Sequence, residues 1–537
     1  MDSGSFINHF PFPEIRDSQA KILTTLANRW EQFQYFVIEA PTGVGKSAIA
    51  KAVAEANTSV YLLTASKQLQ DQYAQTFTEP RVTILKGKTN YRCNIDKRRN
   101  VECGLCVGNF QQLRDCMSHD TCSYYNQRDL AAKANMAVMS YHYFLYSCMR
   151  SKFWRKRDVL IIDEAHLLEN TLVQWATIQV NVDELRNKYG IKPRKHKPVE
   201  GYAGNEKWLR QIYTAISKKQ ATLCKQVELS LKRQEKMLSQ TDLEEALALN
   251  GEYRNLDGML ERFNIFHLDP AKERWLITPN EQGLLLTPID VGGIFQRYVT
   301  PFANKIVFMS ATLLDLRNFA STLGLASDAT SYLRVEPEFP PERSPILYIP
   351  TGSMAYSKLE QTIPKIVAIV AKILARHPNE KGIIHTGNYR LALALIEQLQ
   401  DPRLLGKQAH ETNEGLLKRH MYDTGPTVLV SPALTTGTDL YDDLSRFQVI
   451  VKMPWISLAD PRVKLKADRD DGWYLAEMWR TFVQASGRST RSAEDWSVTY
   501  VLDSKFRYWT SRASSYLPRQ FLRRIEWQVD LDGSSKH

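Results

Sequence analysis

A short apolar run, Tyr35-Phe-Val-Ile-Glu39, feeds into Ala40-Pro41-Thr42-Gly43-Val44-Gly45-Lys46-Ser47, and strong helix formers follow from Ala48 to Ala56. Strand, glycine-bearing loop and helix in this order constrain the chain to an α/β fold built on a buried parallel sheet. The backbone N–H groups of such a loop, with those of the helix's first turn, converge on one spot and can cradle phosphates. Lys46 is placed to reach β and γ phosphates, and Ser47 to ligate Mg2+. The loop opens on Ala40 where glycine is usual, a departure that ordinary backbone angles tolerate.

A second apolar run, Val159-Leu-Ile-Ile-Asp163, ends in the acidic box Asp163-Glu164-Ala165-His166. Parallel sheets bind ligands at the carboxyl ends of their strands, so Asp163 can hold Mg2+ while Glu164 polarises a water. Lys305-Ile-Val-Phe-Met309 makes a third strand and runs into Ser310-Ala311-Thr312-Leu313. These pieces, in this order, predict nucleotide hydrolysis, with an exposed strand-end carboxylate pair as the bland alternative.

Composition bounds the rest. A chain of 537 residues exceeds what one hydrophobic core usually supports, so several domains are expected. The 43% hydrophobic and 24% charged fractions are those of a globular protein. Apolar runs are strand-sized, and Met1 to Pro13 lacks a basic segment followed by an apolar core, so the expectation is a cytoplasmic protein with no membrane partner. A formal charge of +11 and a pI near 9.1 suit a polyanionic partner without naming it.

Five of the seven cysteines, Cys93, Cys103, Cys106, Cys116 and Cys122, crowd between the loop and the acidic box. In a reducing compartment such a cluster asks for a metal group more than for disulfides, and by chemistry alone zinc and iron-sulfur are both open. Cys148 and Cys224 read as buried small hydrophobes.

Taken together, the Lys46 loop, Asp163-Glu164-Ala165-His166 and Ser310-Ala311-Thr312 resemble motifs I, II (a DEAH box) and III of a superfamily 2 helicase. Phe12-Pro13-x-x-Arg16-x-x-Gln19 resembles the Q-motif that seats adenine, and Thr64 with Gln68 to Gln72 resembles motif Ia. Asn135 to Leu145 resembles the segment before the acidic box. In the second half Gly382-Ile-Ile-His-Thr-Gly387 is similar to motif IV, Ser431-Pro432 with Thr436-Gly437-Thr438-Asp439-Leu440 to motif V, and Gln484-Ala485-x-Gly487-Arg488-x-x-Arg491 to motif VI. The set resembles the XPD/DinG family of iron-sulfur DNA helicases over residues 1–180 and 271–510.

That resemblance implies two RecA-like motor domains, ATP and Mg2+ at their cleft, 5′ to 3′ translocation on single-stranded DNA, a [4Fe-4S] cluster and work in DNA repair. It implies that Arg488 and Arg491 reach the γ-phosphate as arginine fingers, that Gln484 senses the phosphates or the attacking water, and that Gly437 and Asp439 couple nucleotide to DNA. It further implies that His166 links motif II to motifs III and VI. The implied cluster ligands are Cys93, at the end of Lys86-Gly-Lys-Thr-Asn-Tyr-Arg-Cys93, and Cys122, which opens Cys122-Ser-Tyr-Tyr125, together with Cys116. The fourth is Cys106, with Cys103 as its alternative.

The resulting division places the first motor domain at 1–85, 126–180 and 271–330, the cluster insertion at 86–125, a helical Arch-like insertion at 181–270 and the second motor domain at 331–537. Glu206 to Asn250 has no glycine or proline and carries helical apolar spacing through Trp208 to Ile216 and again from Leu229 to Leu249. Lys218, Lys219, Lys225, Lys232, Arg233 and Lys236 form a basic strip that could track phosphates or be a solvated face. Single strands need cations and flat rings, which Tyr91, Arg92, Lys97, Arg98 and Arg99 supply beside the cluster. Trp455 is a further stacking candidate, whereas Trp473, Tyr474, Trp479 and Phe482 read as packing residues. The expected partners are single-stranded DNA and duplex junctions, with RNA:DNA hybrids, RNA, or remodelling of protein–nucleic acid complexes as alternatives.

Overall fold

The computed structural model describes residues 6–77, 81–94, 97–103, 121–150, 153–233, 240–337, 340–432, 442–487 and 495–531. Two seven-stranded sheets, each wholly parallel, form the frame. From edge to edge the first sheet runs Thr330–Arg334, Tyr35–Glu39, Ala303–Ser310, Arg157–Asp163, Val60–Thr64, Met136–Ser140 and Val82–Leu85. Its central strands are near-continuous apolar runs because helices cover both faces, and Tyr35–Glu39 and Val60–Thr64 are buried at every position. The second sheet runs Leu404–Leu405, Val428–Ser431, Gly382–His385, Phe447–Ile450, Val498–Asp503, Ile346–Gly352 and Ile525–Trp527.

Register puts the chemistry at one edge. Glu39 pairs with Ser310, and Asp163 with Met309, so the Lys46 loop, the acidic box and Ser310-Ala311-Thr312 leave three adjacent strands at the same level. This is the carboxyl end of the sheet, where doubly wound folds bind ligands.

Within the first domain's chain, between the strands Arg157–Asp163 and Ala303–Ser310, lies a three-stranded antiparallel sheet of Ile178–Asn181, Gly283–Pro288 and Trp275–Asn280, with two long helices, Glu206–Arg233 and Gln240–Leu268. Leu209, Ile212, Ile216, Leu223 and Val227 on one helix, and Leu256, Leu260 and Phe263 on the other, recur at three- and four-residue spacings and are buried. They share one core with Tyr61 and Leu63 of the first sheet and Phe144 of the helix Tyr141–Arg150, so the insertion is packed onto that domain.

Leu314 carries its side chain from the first sheet's domain into the core of the second. Leu314 has a left-handed backbone, φ +61°, which costs a branched residue roughly 1–2 kcal/mol. Its N–H donates to the buried Glu39 carboxylate, its carbonyl accepts from Arg334, and Arg334 Nε lies 3.1 Å from Glu39. Held that way, its side chain enters the second domain's core among Ile346, Tyr348, Trp479 and Phe482.

Candidate functional site

The phosphate loop is braced from outside by the two residues expected to seat adenine. Arg16 Nη1 donates to the Gly43 carbonyl at 2.7 Å, and Gln19 Nε2 donates to the Val44 carbonyl at 2.8 Å. Gln19 also accepts from Arg16 N at 2.9 Å, tying down the start of the helix Asp17–Arg29. Gly45 sits at φ +82°, and a Cβ there would meet Gln19 Nε2 at 2.6 Å, so only glycine fits. Ala40 N donates to the Ser310 carbonyl at 2.9 Å and ties the loop's first residue to the neighbouring strand.

Lys46, from the first turn of the helix Lys46–Glu55, lies 3.8 Å from Glu164 Oε1 and 3.5 Å from the Ala40 carbonyl. Glu164 occupies a left-handed backbone conformation, φ +54°, and its N–H donates to Asp163 Oδ1 at 3.0 Å. The two carboxyls are driven apart. Burial, reinforced by the Glu164 charge, lifts Asp163 above its usual range. At Glu164 burial pushes upward too, but the Lys46 ammonium and the His166 ring outweigh it and hold the group well below its usual range.

Asp163 has two partners that local pattern did not reveal. Tyr73 donates its hydroxyl to Asp163 Oδ2 at 3.1 Å and reaches the Ser47 side chain, and Tyr141 donates to the Asp163 carbonyl at 2.5 Å. Burial, then the Asp163 charge, raises both phenols well above their usual range, so each stays a donor. Tyr73 follows the motif Ia glutamines and Tyr141 lies in the segment before the acidic box.

His166 faces Ser310 Oγ at 2.8 Å through Nδ1 and the Gln484 amide at 2.9 Å through Nε2. An amide N–H must donate, so Nε2 accepts and Nδ1 carries the proton. Gln484 Nε2 also donates to Thr312 Oγ1 at 2.9 Å, and Arg480 Nε to the Thr312 carbonyl at 3.1 Å. The acidic box and the third strand end of one domain thus meet the Gln484 helix, Asp471–Ser486, of the other. Arg488, Arg491 and Asp439 lie outside the described residues.

In the cysteine-bearing insertion, Cys93 and Cys122 are buried free thiols. Asn94 Nδ2 donates to the Thr121 carbonyl at 2.7 Å, so the residue after one thiol is bonded to the residue before the other. Cys93 N donates to the Arg99 carbonyl at 3.0 Å, and the helix Ser123–Lys133 starts directly after Cys122. Two buried thiols whose neighbours in the chain are hydrogen-bonded to each other fit a group that takes thiolates. Cys106 and Cys116 lie outside the described residues, and Cys103 ends a described stretch. Among the described residues no group of three or more His, Cys, Asp or Glu side chains forms a metal site.

Arg92, Lys97 and Arg98 are exposed beside this pair. Trp455 is half-buried, its ring packed against Tyr474 at 4.7 Å and Trp509 at 4.8 Å between centroids. Trp473, Trp479 and Phe482 are buried as packing residues. No described helix is long and apolar enough to cross a membrane.

Two family models match the chain, DEAD_2 over residues 51–185 and the helicase C-terminal domain over residues 372–523. A probable ATP-dependent helicase of Methanocaldococcus jannaschii is 21% identical, the match covering 94% of this chain and 93% of that protein. A solved XPD helicase superposes with a TM-score of 0.63 at 16% identity, covering 94% of this chain and 98% of its own. Xpd4 of S. tokodaii superposes at 0.57 and 14% identity, covering 95% and 99%. With one family model on each motor domain, a fold shared with XPD and a phosphate loop facing a second-domain glutamine across the acidic box, the chain is an ATP-dependent helicase of the XPD/DinG type in superfamily 2.

Proposed function

We propose that this helicase works on DNA, moves 5′ to 3′ along a single strand and separates duplex at junctions, with a [4Fe-4S] cluster in the 86–125 insertion and an Arch-like insertion at 181–270. The observation that carries the reading is the meeting of Lys46, Glu164, His166 and Gln484, since it joins the hydrolysis site to movement between two domains. In this reading Arg16 and Gln19 hold the adenine side, the Ala40 to Ser47 loop wraps the phosphates, and Ser47 and Asp163 hold Mg2+. Bound Mg2+ neutralises charge on the phosphates.

Lys46 is the largest influence lowering Glu164, so when Lys46 turns to a phosphate chain the carboxylate becomes more basic, at the moment a water must be polarised. Gln484 reports that change through His166 and Thr312 to its own domain. Arg488 and Arg491 complete the charge stabilisation as fingers, and Asp439 couples the cycle to the strand. Cys93, Cys106, Cys116 and Cys122 hold the cluster, which supplies a rigid cross-link between segments that otherwise meet through Asn94 and Thr121.

Anaerobically purified protein is expected to be coloured and to contain about four iron and four sulfide per chain. Cys93→Ser and Cys122→Ser are each expected to bleach it and to abolish strand displacement while keeping ATP turnover. Colourless protein carrying zinc sinks the cluster assignment. Strand displacement is expected on duplexes with 5′ single-stranded DNA tails and not on those with 3′ tails. Stimulation by RNA alone, or ATP turnover without displacement, replaces the DNA reading with an RNA motor or a remodelling translocase.

A further inference from the structure

The helix Leu168–Ala176 begins two residues after His166, and its second residue, Glu169, is buried against the second motor domain. Glu169 Oε1 accepts from Arg462 Nη2 at 2.5 Å and from the Lys466 ammonium, and Oε2 accepts from Trp473 Nε1 at 3.2 Å. All three donors belong to the other domain. Arg462 and Lys466 lie one turn apart on the helix Pro461–Arg469 and are each 6% exposed. Arg462 also donates to the Pro288 and Ile289 carbonyls at 3.0 and 3.1 Å, back on the first domain's side. Burial lowers Lys466 while the Glu169 charge acts against it; Glu169 is held below its usual range by Lys466 and Arg462 in spite of burial.

The position of this cluster matters more than its strength. Trp473 shares a helix with Gln484, and eleven residues make about three turns, so the two side chains leave the same face about 16 Å apart. Trp473 meets Glu169, and Gln484 meets His166. Glu169 and His166 are themselves three residues apart across the start of one helix. Two rigid elements from opposite domains therefore touch at two points, one at the hydrolysis site and one at a buried charge cluster. A rod fixed at both points has one orientation, whereas a rod touching only at Gln484 can swing.

We propose that Glu169 is a positioning residue for ATP hydrolysis: by gathering Arg462, Lys466 and Trp473 it seats the Gln484 helix over the acidic box and sets the hydrolysing arrangement of the two motor domains. Removing the acid leaves Arg462 and Lys466 buried without their shared partner, with Glu477 still acting on Lys466, and they regain water only if the domains part. The inference rests on the assignment of ATP turnover to this cleft.

The test is steady-state ATP turnover of the full chain, with thermal melting alongside. Glu169→Gln keeps shape and removes charge; kcat is expected to fall roughly tenfold or more, because small misplacements of a catalytic constellation are costly. KM for ATP should stay within about twofold, since Lys46, Arg16 and Gln19 all belong to the first domain. Lys466→Met, on the other domain, should give the same split, and the double variant should lose little more than either single one. Should Glu169→Gln fail to fold, Lys466→Met decides. Variants that melt earlier but keep wild-type kcat overturn the proposal, as does a rise in KM with kcat unchanged or a fully additive double variant. A wild-type chain without ATP turnover instead counts against the hydrolysis assignment itself.

Discussion

Glu164→Gln is expected to lower ATP turnover by about 10²–10⁴ while nucleotide still binds, the range by which a positioned acid–base group contributes. The amide keeps the size of the carboxylate and can still face His166, but it is a far weaker base. The phosphate loop does not depend on it: Gly43 and Val44 are braced by Arg16 and Gln19, and Gly45 by its own backbone. Lys46→Ala separates the two roles. It removes the cation 3.8 Å from Glu164, the same one proposed to reach the phosphates, so binding and turnover should both be lost. Fluorescent-nucleotide titration beside phosphate-release kinetics distinguishes them. A Glu164→Gln chain within tenfold of wild-type turnover would falsify the assignment of Glu164 as the group that activates water.

The second large effect is on folding. Arg157, at the start of the strand that ends in Asp163, is 5% exposed and donates to five main-chain carbonyls. Three of them, Ala131, Ala132 and Ala134 at 2.7, 3.1 and 2.8 Å, are the free carbonyls that end the helix Ser123–Lys133, the helix that starts after Cys122. The others are Val60 and Asn135, at 2.8 and 3.2 Å. The guanidinium also lies over the Tyr61 ring, 4.4 Å from its centroid. Arg157→Met keeps much of the volume but strands these buried acceptors, at about 1–3 kcal/mol each before relaxation. A net loss of about 3 kcal/mol or more is expected, read as a lower urea midpoint. Arg157→Lys should recover part of it, because an ammonium has three donors where the fork has five. A midpoint unchanged in Arg157→Met would show that the carbonyls find other partners.

The helical insertion shows where pattern reading stops. Glu206 to Asn250 was legible as helix, yet the second helix runs on to Leu268 through Gly251 and Gly258. Glycine weakens a helix by roughly 1 kcal/mol, and burial of Leu256, Phe263 and Phe266 outweighs that cost. Trp455 is a second case: a ring beside Lys452 suggests a base platform, and only the tertiary structure sets it against the half-buried rings of Tyr474 and Trp509.

What the sequence by itself determined was local: two α/β halves, a glycine-bearing phosphate loop and an acidic box at a strand end. The loop and the box each depend on residues within about ten positions of one another, where spacing carries the chemistry. Tertiary structure alone decided that Tyr73 and Tyr141 hold Asp163, that Leu314 enters the other domain's core, that Arg157 closes the helix after Cys122, and that Glu169 meets Arg462 and Lys466. Glu169 and Lys466 stand nearly three hundred residues apart in the chain. A buried charge finds its partner by position in space, and no periodicity announces it in advance.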